Sequence, residues 1–136
     1  YKNYYPRLFF TENIDNVLEE DVYDIITEES FDPIKNSFII ENEKISFNFE
    51  KNSKVELISW SPDELIFETN VDSKQFLVIS EVFYPNGWEI SDGSNNYKIY
   101  NVNGILRGVL IPPGINRFTK SRSLIRHLKK LFIVYH

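Results

Sequence analysis

Val55-Glu56-Leu57-Ile58-Ser59-Trp60, then Ser61-Pro62-Asp63-Glu64, then Leu65-Ile66-Phe67-Glu68-Thr69 is the stretch that decides the fold. β-Branched and aromatic residues fill both apolar runs, and such side chains suit a pleated surface better than a helix. Between the runs, a proline and an aspartate within four residues make a tight turn. Two β-type runs around a turn read as strands.

The same pattern extends to both sides. Upstream, Phe38-Ile39-Ile40 is a strand, and Ile45-Ser46-Phe47-Asn48-Phe49 alternates between apolar and polar. Nearer the start, Arg7 to Thr11 is a short strand and Ile14 to Leu18 a candidate neighbour for it. Downstream come Phe76 to Ser80, Trp88 to Ile90, Tyr97 to Val102 and Leu106 to Ile111, at the roughly 8–12-residue spacing of all-β folds. Eleven Phe and eight Tyr raise the aromatic share to 15%, which again favours strands. The expectation is a mainly β chain: an antiparallel β-sandwich of about eight strands, jelly-roll or galactose-binding-like.

Two segments break the period of two. Val22, Ile25 and Ile26 have helical spacing behind Glu19-Glu20-Asp21, and acids are favoured at a helix N-terminus. A short helix is therefore predicted near 21–29, closed by Phe31-Asp32-Pro33. Later, Leu124, Ile125, Leu128, Leu131 and Phe132 are spaced for a helix, with basic residues between them. The predicted organisation is a β-sandwich over 1–116 and a basic amphipathic C-terminal segment over 117–136. Phe132-Ile133-Val134-Tyr135 fits a terminal strand equally well.

At 136 residues the chain suits one domain with a real core and is short for two. It has no cysteine, which excludes disulfides, thiolate catalysis and cysteine-based metal sites. It also lacks methionine, even at position 1, so it is expected either to begin inside a longer protein or to have been trimmed. No apolar run approaches the roughly 20 residues needed to span a bilayer. The net charge of −5 divides into +6 over residues 117–136 and −11 over the rest. An acidic body argues against nucleic acid as a partner.

Candidate chemistry concentrates between Tyr84 and Gly114. Tyr84, Trp88 and Tyr100 could stack on the apolar face of a sugar, or could pack the core and its rim. Arg107 sits in an apolar run shortly after Asn103. It could clamp a phosphate or carboxylate bidentately, or be tied to a strand-end carboxylate or turn carbonyls. These five residues are the candidate ligand-binding set. Asp92-Gly93-Ser94-Asn95-Asn96 lacks the spacing and final glutamate of a calcium loop and reads as a hairpin turn. The acids from Glu12 to Glu29 read as a solvated face. His127 and His136, the only histidines, leave little for a catalytic triad. No catalytic residue, metal or cofactor is expected. The basic tail could lie on an anionic membrane or pack against the β domain.

Taken in order, the motifs resemble a known family. Pro6-Arg7-Leu8-Phe9-Phe10 and Phe31-Asp32-Pro33-Ile34-Lys35 are similar to the start of the C-terminal extracytoplasmic region of YfhO-type bacterial membrane proteins. Leu77 through Trp88 looks like that family's strand and its "YPGW" turn, here with Asn86 inserted. Asp92-Gly93, Tyr100, Asn103, Leu106-Arg107-Gly108-Val109 and Pro112-Pro113-Gly114 then follow at similar spacing. The resemblance covers about Pro6 to Gly114. It implies a multi-spanning membrane protein of the lipid-linked-sugar (GT-C-like) glycosyltransferase type, associated with glycosylating envelope polymers. The catalytic carboxylates of that architecture lie in the membrane portion, so this piece is expected to be a non-catalytic domain outside the cell membrane. Its implied partners are a glycan or envelope polymer and the upstream membrane portion. The family continues after Gly114 with a closing strand, whereas this chain runs into Ile115-Asn116-Arg117 and the basic segment.

Overall fold

Alternation along the chain becomes alternation between faces. In the computed structural model, which describes residues 6–82 and 87–122, the chain is mainly β, with two sheets and one short helix. The elements in order are β1 (Leu8–Thr11), β2 (Ile14–Asn16), α1 (Val22–Ile26), β3 (Ser37–Ile39), β4 (Lys54–Ser61) and β5 (Glu64–Val71). Then come β6 (Gln75–Val82), β7 (Trp88–Ser91), β8 (Asn96–Tyr97), β9 (Tyr100–Val102), β10 (Leu106–Ile111) and β11 (Gly114–Arg122). One sheet has the order β1-β6-β10-β9-β3-β2 and the other β4-β5-β11-β7-β8. Every pairing is antiparallel except β2 with β3.

The main core cluster draws on both sheets. Leu8, Phe10, Leu77, Ile79, Val109 and Ile111 come from the six-stranded sheet; Leu65, Phe67, Val71, Ile90 and Phe118 come from the other. Phe67 stacks on Phe118 at 5.2 Å, and Tyr97 meets the same ring edge-on at 5.3 Å, both favoured aromatic arrangements. Residues of opposite parity, Phe9, Phe76, Val78, Tyr100 and Val102, form a second cluster, against which Ile34, Ile45 and Phe47 pack. Both faces of the six-stranded sheet are therefore covered. That explains why Phe76-Leu77-Val78-Ile79 is apolar without alternation and wholly buried.

Several expectations need correction. Among the described residues there are eleven strands, against the eight or so expected. Residues 45–49 keep their alternating exposure but join no ladder. Phe47 packs on Phe76 at 6.5 Å, and the Gln75 side chain holds the segment by accepting from Glu50 N and donating to Asn48 O. The run Tyr97 to Val102 is two strands in different sheets, because the chain crosses between them after Tyr97. The helix is shorter than 21–29, a 3-10 turn at Glu19–Asp21 leading into α1. None of its residues is buried, so no packing rewards further turns.

The largest correction lies at the C-terminal end. Gly114–Arg122 is a strand in the middle of its sheet, between β5 and β7, so a closing strand does follow Gly114. Residues 117–122 belong to that strand, so the predicted separate amphipathic segment over 117–136 does not hold for its first six residues. Residues 123–136 lie outside the described ones, as do Tyr84 and the Pro85-Asn86 part of its turn.

Candidate functional site

At one end of the space between the sheets the core-facing rows run out of hydrocarbon. Side chains two residues apart share a face, about 6.7 Å apart along a strand. Val109, in the core, is two residues from Arg107; Phe118 is two from Lys120, and Ile90 is two from Trp88. Ile79 is likewise two residues from Glu81. Each row thus passes from core to charge or aromatic ring in one pleat step.

Trp88 is the hub. In β7 it pairs with Arg122 of β11, while Ile90 pairs with Lys120. The Arg107 guanidinium carbon lies 4.6 Å from the centre of a Trp88 ring, Lys120 Nζ 4.2 Å and the Arg122 guanidinium carbon 5.3 Å. All three distances suit cation–π attraction, which strengthens where water is excluded. Lys120 is 1% exposed and Arg107 3%, whereas Trp88 is half-buried and Arg122 exposed. At the neighbouring edge Arg7 stands 4.6 Å above a Trp60 ring, and Trp60 is 48% exposed.

Acids from neighbouring strands and turns meet these cations. Lys120 Nζ donates to Glu81 Oε1 at 2.9 Å and Oε2 at 3.0 Å. Arg122 Nε lies 3.4 Å from Asp63 Oδ1. Glu81 sits where the β6–β10 register shifts: Leu106 is opposite Val82 and Arg107 opposite Ile79, leaving Ser80 and Glu81 as a bulge. Bulges re-aim side chains, and this one turns Glu81 toward Lys120. Burial pushes the Lys120 ammonium below its ordinary pKa against the pull of Glu81, and the charges of Arg107 and Arg7 push it further. Basic side chains gather around Trp88, although residues 1–116 carry −11.

The five sequence candidates do not stay together. Trp88 and Arg107 meet. Tyr100 faces the opposite side of its sheet, buried with Phe76 and Val102, because Arg107 pairs with Asn101 and Tyr100 has the other parity. Its ring lies 5.7 Å from Phe76, Lys98 stands 4.8 Å over it, and its hydroxyl donates to Glu43 at 3.2 Å. Burial raises the Tyr100 pKa, while the hydrogen bond from Lys98 holds Glu43 below the usual carboxylate range. Part of Tyr100 lines a groove of about 320 Å³ with Tyr97, Lys98, Pro112 and Pro113.

Asn103 is a structural clamp. With a φ of 55° it is left-handed, as is Gly104 beside it, and asparagine tolerates that region better than most residues. Its Oδ1 accepts from Phe38 N at 3.0 Å and its Nδ2 donates to Ser37 Oγ at 3.2 Å. These bonds tie the β9–β10 turn to β3. Tyr84 lies outside the described residues.

Lys120, Arg122, Glu81, Arg7 and Trp60 belong to the site and were not singled out from the sequence. The available signal was Lys120 two residues after Phe118, as Arg107 is two before Val109. A charged residue continuing a core row marks where an inter-sheet space opens.

The Asp92 turn is a hairpin, as expected. Asp92 Oδ1 accepts from Ser94 N at 2.9 Å and Asn95 N at 2.7 Å, and Tyr97 Oη donates to Asp92 Oδ2 at 2.6 Å. The Tyr97 bond first, then the two amides, lower the Asp92 pKa from 3.8 to about 2. A carboxyl depressed in the folded state contributes stability above its unfolded pKa and loses it as pH falls toward the folded one. The stability difference between the native chain and Asp92→Asn is thus expected to be full at pH 6. It should vanish between about pH 4 and pH 2 in urea melts run across that range. A pH-independent difference would contradict the assignment.

Among the described residues no group of three or more His, Asp or Glu side chains is placed to hold a metal ion. Comparisons with protein-family models, with curated proteins and with solved structures found no match.

Proposed function

We propose that the chain is a non-catalytic extracytoplasmic domain of a multi-spanning membrane protein of the YfhO type, folded as a jelly-roll or galactose-binding-like β-sandwich. Its role is to contact cell-envelope glycan or polymer acceptor while the membrane portion carries the glycosyl-transfer chemistry. The family part of this reading is supported by the ordered motifs from Pro6 to Gly114 alone. The binding part is carried by one observation: Trp88, at the open end between the sheets, and Trp60, on the edge strand β4, are neither wholly buried, and each lies beneath an arginine. Indole faces suit the C–H face of a pyranose, and the flanking donors suit its hydroxyls.

Calorimetric titration of the chain with purified envelope-polymer fragments tests this. Binding is expected, and Trp60→Ala, at an exposed position, should weaken it about fivefold or more with an unchanged melting temperature. Trp88→Ala is the second variant, with its fold checked by circular dichroism. Release of sugar by the chain would contradict the non-catalytic assignment.

One feature favours a structural module instead. The edge strand β4 exposes Leu57 and Ile58 beside Trp60, and an exposed apolar edge strand offers itself for pairing. Absence of saccharide binding, with Leu57→Lys abolishing attachment to the membrane portion, would select that reading.

A further inference from the structure

We infer that the end of the molecule at which the chain enters β1 and leaves β11 rests on an anionic lipid surface, with Trp60 at headgroup level and Arg7 and Arg122 on lipid phosphates. The preceding proposal leaves the domain without an orientation. This one supplies it and does not depend on the polymer assignment.

Both crossings of the chain into the described fold lie at one end. Ser80 N donates to Arg7 O at 2.8 Å and the Ser80 hydroxyl to Pro6 O at 3.0 Å, so the chain comes in beside the last residues of β6. Leu106 lies opposite Val82 at that same end, and the next residue, Arg107, meets the Trp88 ring. Trp88 pairs with Arg122, the last residue of β11. A domain held by the chain on both sides at one end presents that end to whatever the flanking sequence attaches to.

The flanking sequence on both sides suits a lipid interface. All twenty acids lie within residues 12–112, so 1–11 and 113–136 are basic throughout. Tyrosines accompany Lys2 before β1, and leucines and Phe132 accompany Arg126, Lys129 and Lys130 after Arg122. Anionic lipid attracts such cations, and aromatic rings settle at headgroup depth. The folded surface continues the same chemistry. Trp60, near the end of β4, is 48% exposed beneath Arg7, and Arg7 and Arg122 are both exposed. Asp63 and Glu81, acids of the same end, are each bonded to a cation, which limits their repulsion of lipid phosphate. The acids around α1 fix the tilt. Val22 of α1 lies 2.9 Å from where a Gly104 Cβ would stand, and Gly104 joins β9 to β10, on the far side of β10 from β1. The contact therefore falls on the Trp60 side.

Vesicles of equal phosphatidylglycerol and phosphatidylcholine, against phosphatidylcholine alone, test this with no saccharide present. The whole chain is expected to sediment with the anionic vesicles about tenfold or more strongly, and about 0.5 M salt should remove most of that preference. Arg7→Gln and Arg122→Gln should each weaken sedimentation about fivefold with an unchanged melting temperature. Trp88→Phe leaves Trp60 as the reporter, since the chain has two tryptophans. Its emission should shift to the blue and fall about twofold when the lipid acyl chains are brominated. No preference for anionic vesicles overturns the inference. So does sedimentation that leaves the Trp60 emission unmoved, because the flanking residues alone would then be the attachment. Neither result bears on the polymer titration, which uses no lipid.

Discussion

Replacing Gly108 with alanine is expected to lower the unfolding free energy by about 3 kcal/mol, at the upper end of what overpacking costs. Gly108 lies in β10 opposite Val78 and Tyr100. A Cβ there would collide with Val102 Cγ2 and come within 2.5 and 2.7 Å of Phe76 Cε1 and Cζ. Neither neighbour can retreat. Val102 is β-branched and fully buried, and the Phe76 ring is held between Phe47 at 6.5 Å and Tyr100 at 5.7 Å. Glycine here makes room for the Phe76 ring; its backbone has no need of a positive φ. Urea denaturation measures the effect. A loss below about 1 kcal/mol would mean that the second core cluster yields more than close packing allows.

Removing Glu81 should be comparably severe, about 3 kcal/mol for Glu81→Ala. Its carboxylate is the acid bonded to Lys120, whose side chain is 1% exposed against 20% for Glu81. Without it, the Lys120 amine loses the bonded acid that favours its charged form, in a site where burial and Arg107 already disfavour it. The figure sits at the low end for a broken buried pair because Glu81 is partly reached by water. The companion variant separates charge from packing. Glu81→Ala combined with Lys120→Met is expected to regain most of the loss, since an apolar pair removes the unpaired charge. If the double variant is as unstable as Glu81→Ala alone, the ion pair is not what holds this end together.

What the sequence made legible followed from parity. β4, β5, β6 and β10 each hold several β-branched or aromatic residues in period, and all four lie where expected. Parity also explains the misplacements. Tyr100 and Arg107 look like neighbours in a list of motifs, yet their pairing positions put them on opposite faces of one sheet. Ile45-Ser46-Phe47 alternates because one side packs on Phe76, which produces a period of two without any ladder. β11 was hidden for the reverse reason. Past Phe118 its core-facing positions are Lys120 and Arg122, so the apolar period has a single strong member, and the helical spacing from Leu124 draws the boundary back. The charge that hid the strand is the charge that makes the site. Asn103-Gly104 carried a readable turn signal, and it accounts for Asn103 without a ligand.

The central claim is that Trp60 and Trp88 form one ligand-contacting end. Their two indole N–H signals in a nitrogen–proton correlation spectrum, assigned with Trp60→Phe and Trp88→Phe, test it most directly. On titration with envelope-polymer fragments, both indole signals should shift in parallel, while the amides of Tyr97, Lys98 and Tyr100 hold still. Shifts confined to those three amides, with both indoles unmoved, would place binding in the groove beside Pro112 and contradict the account.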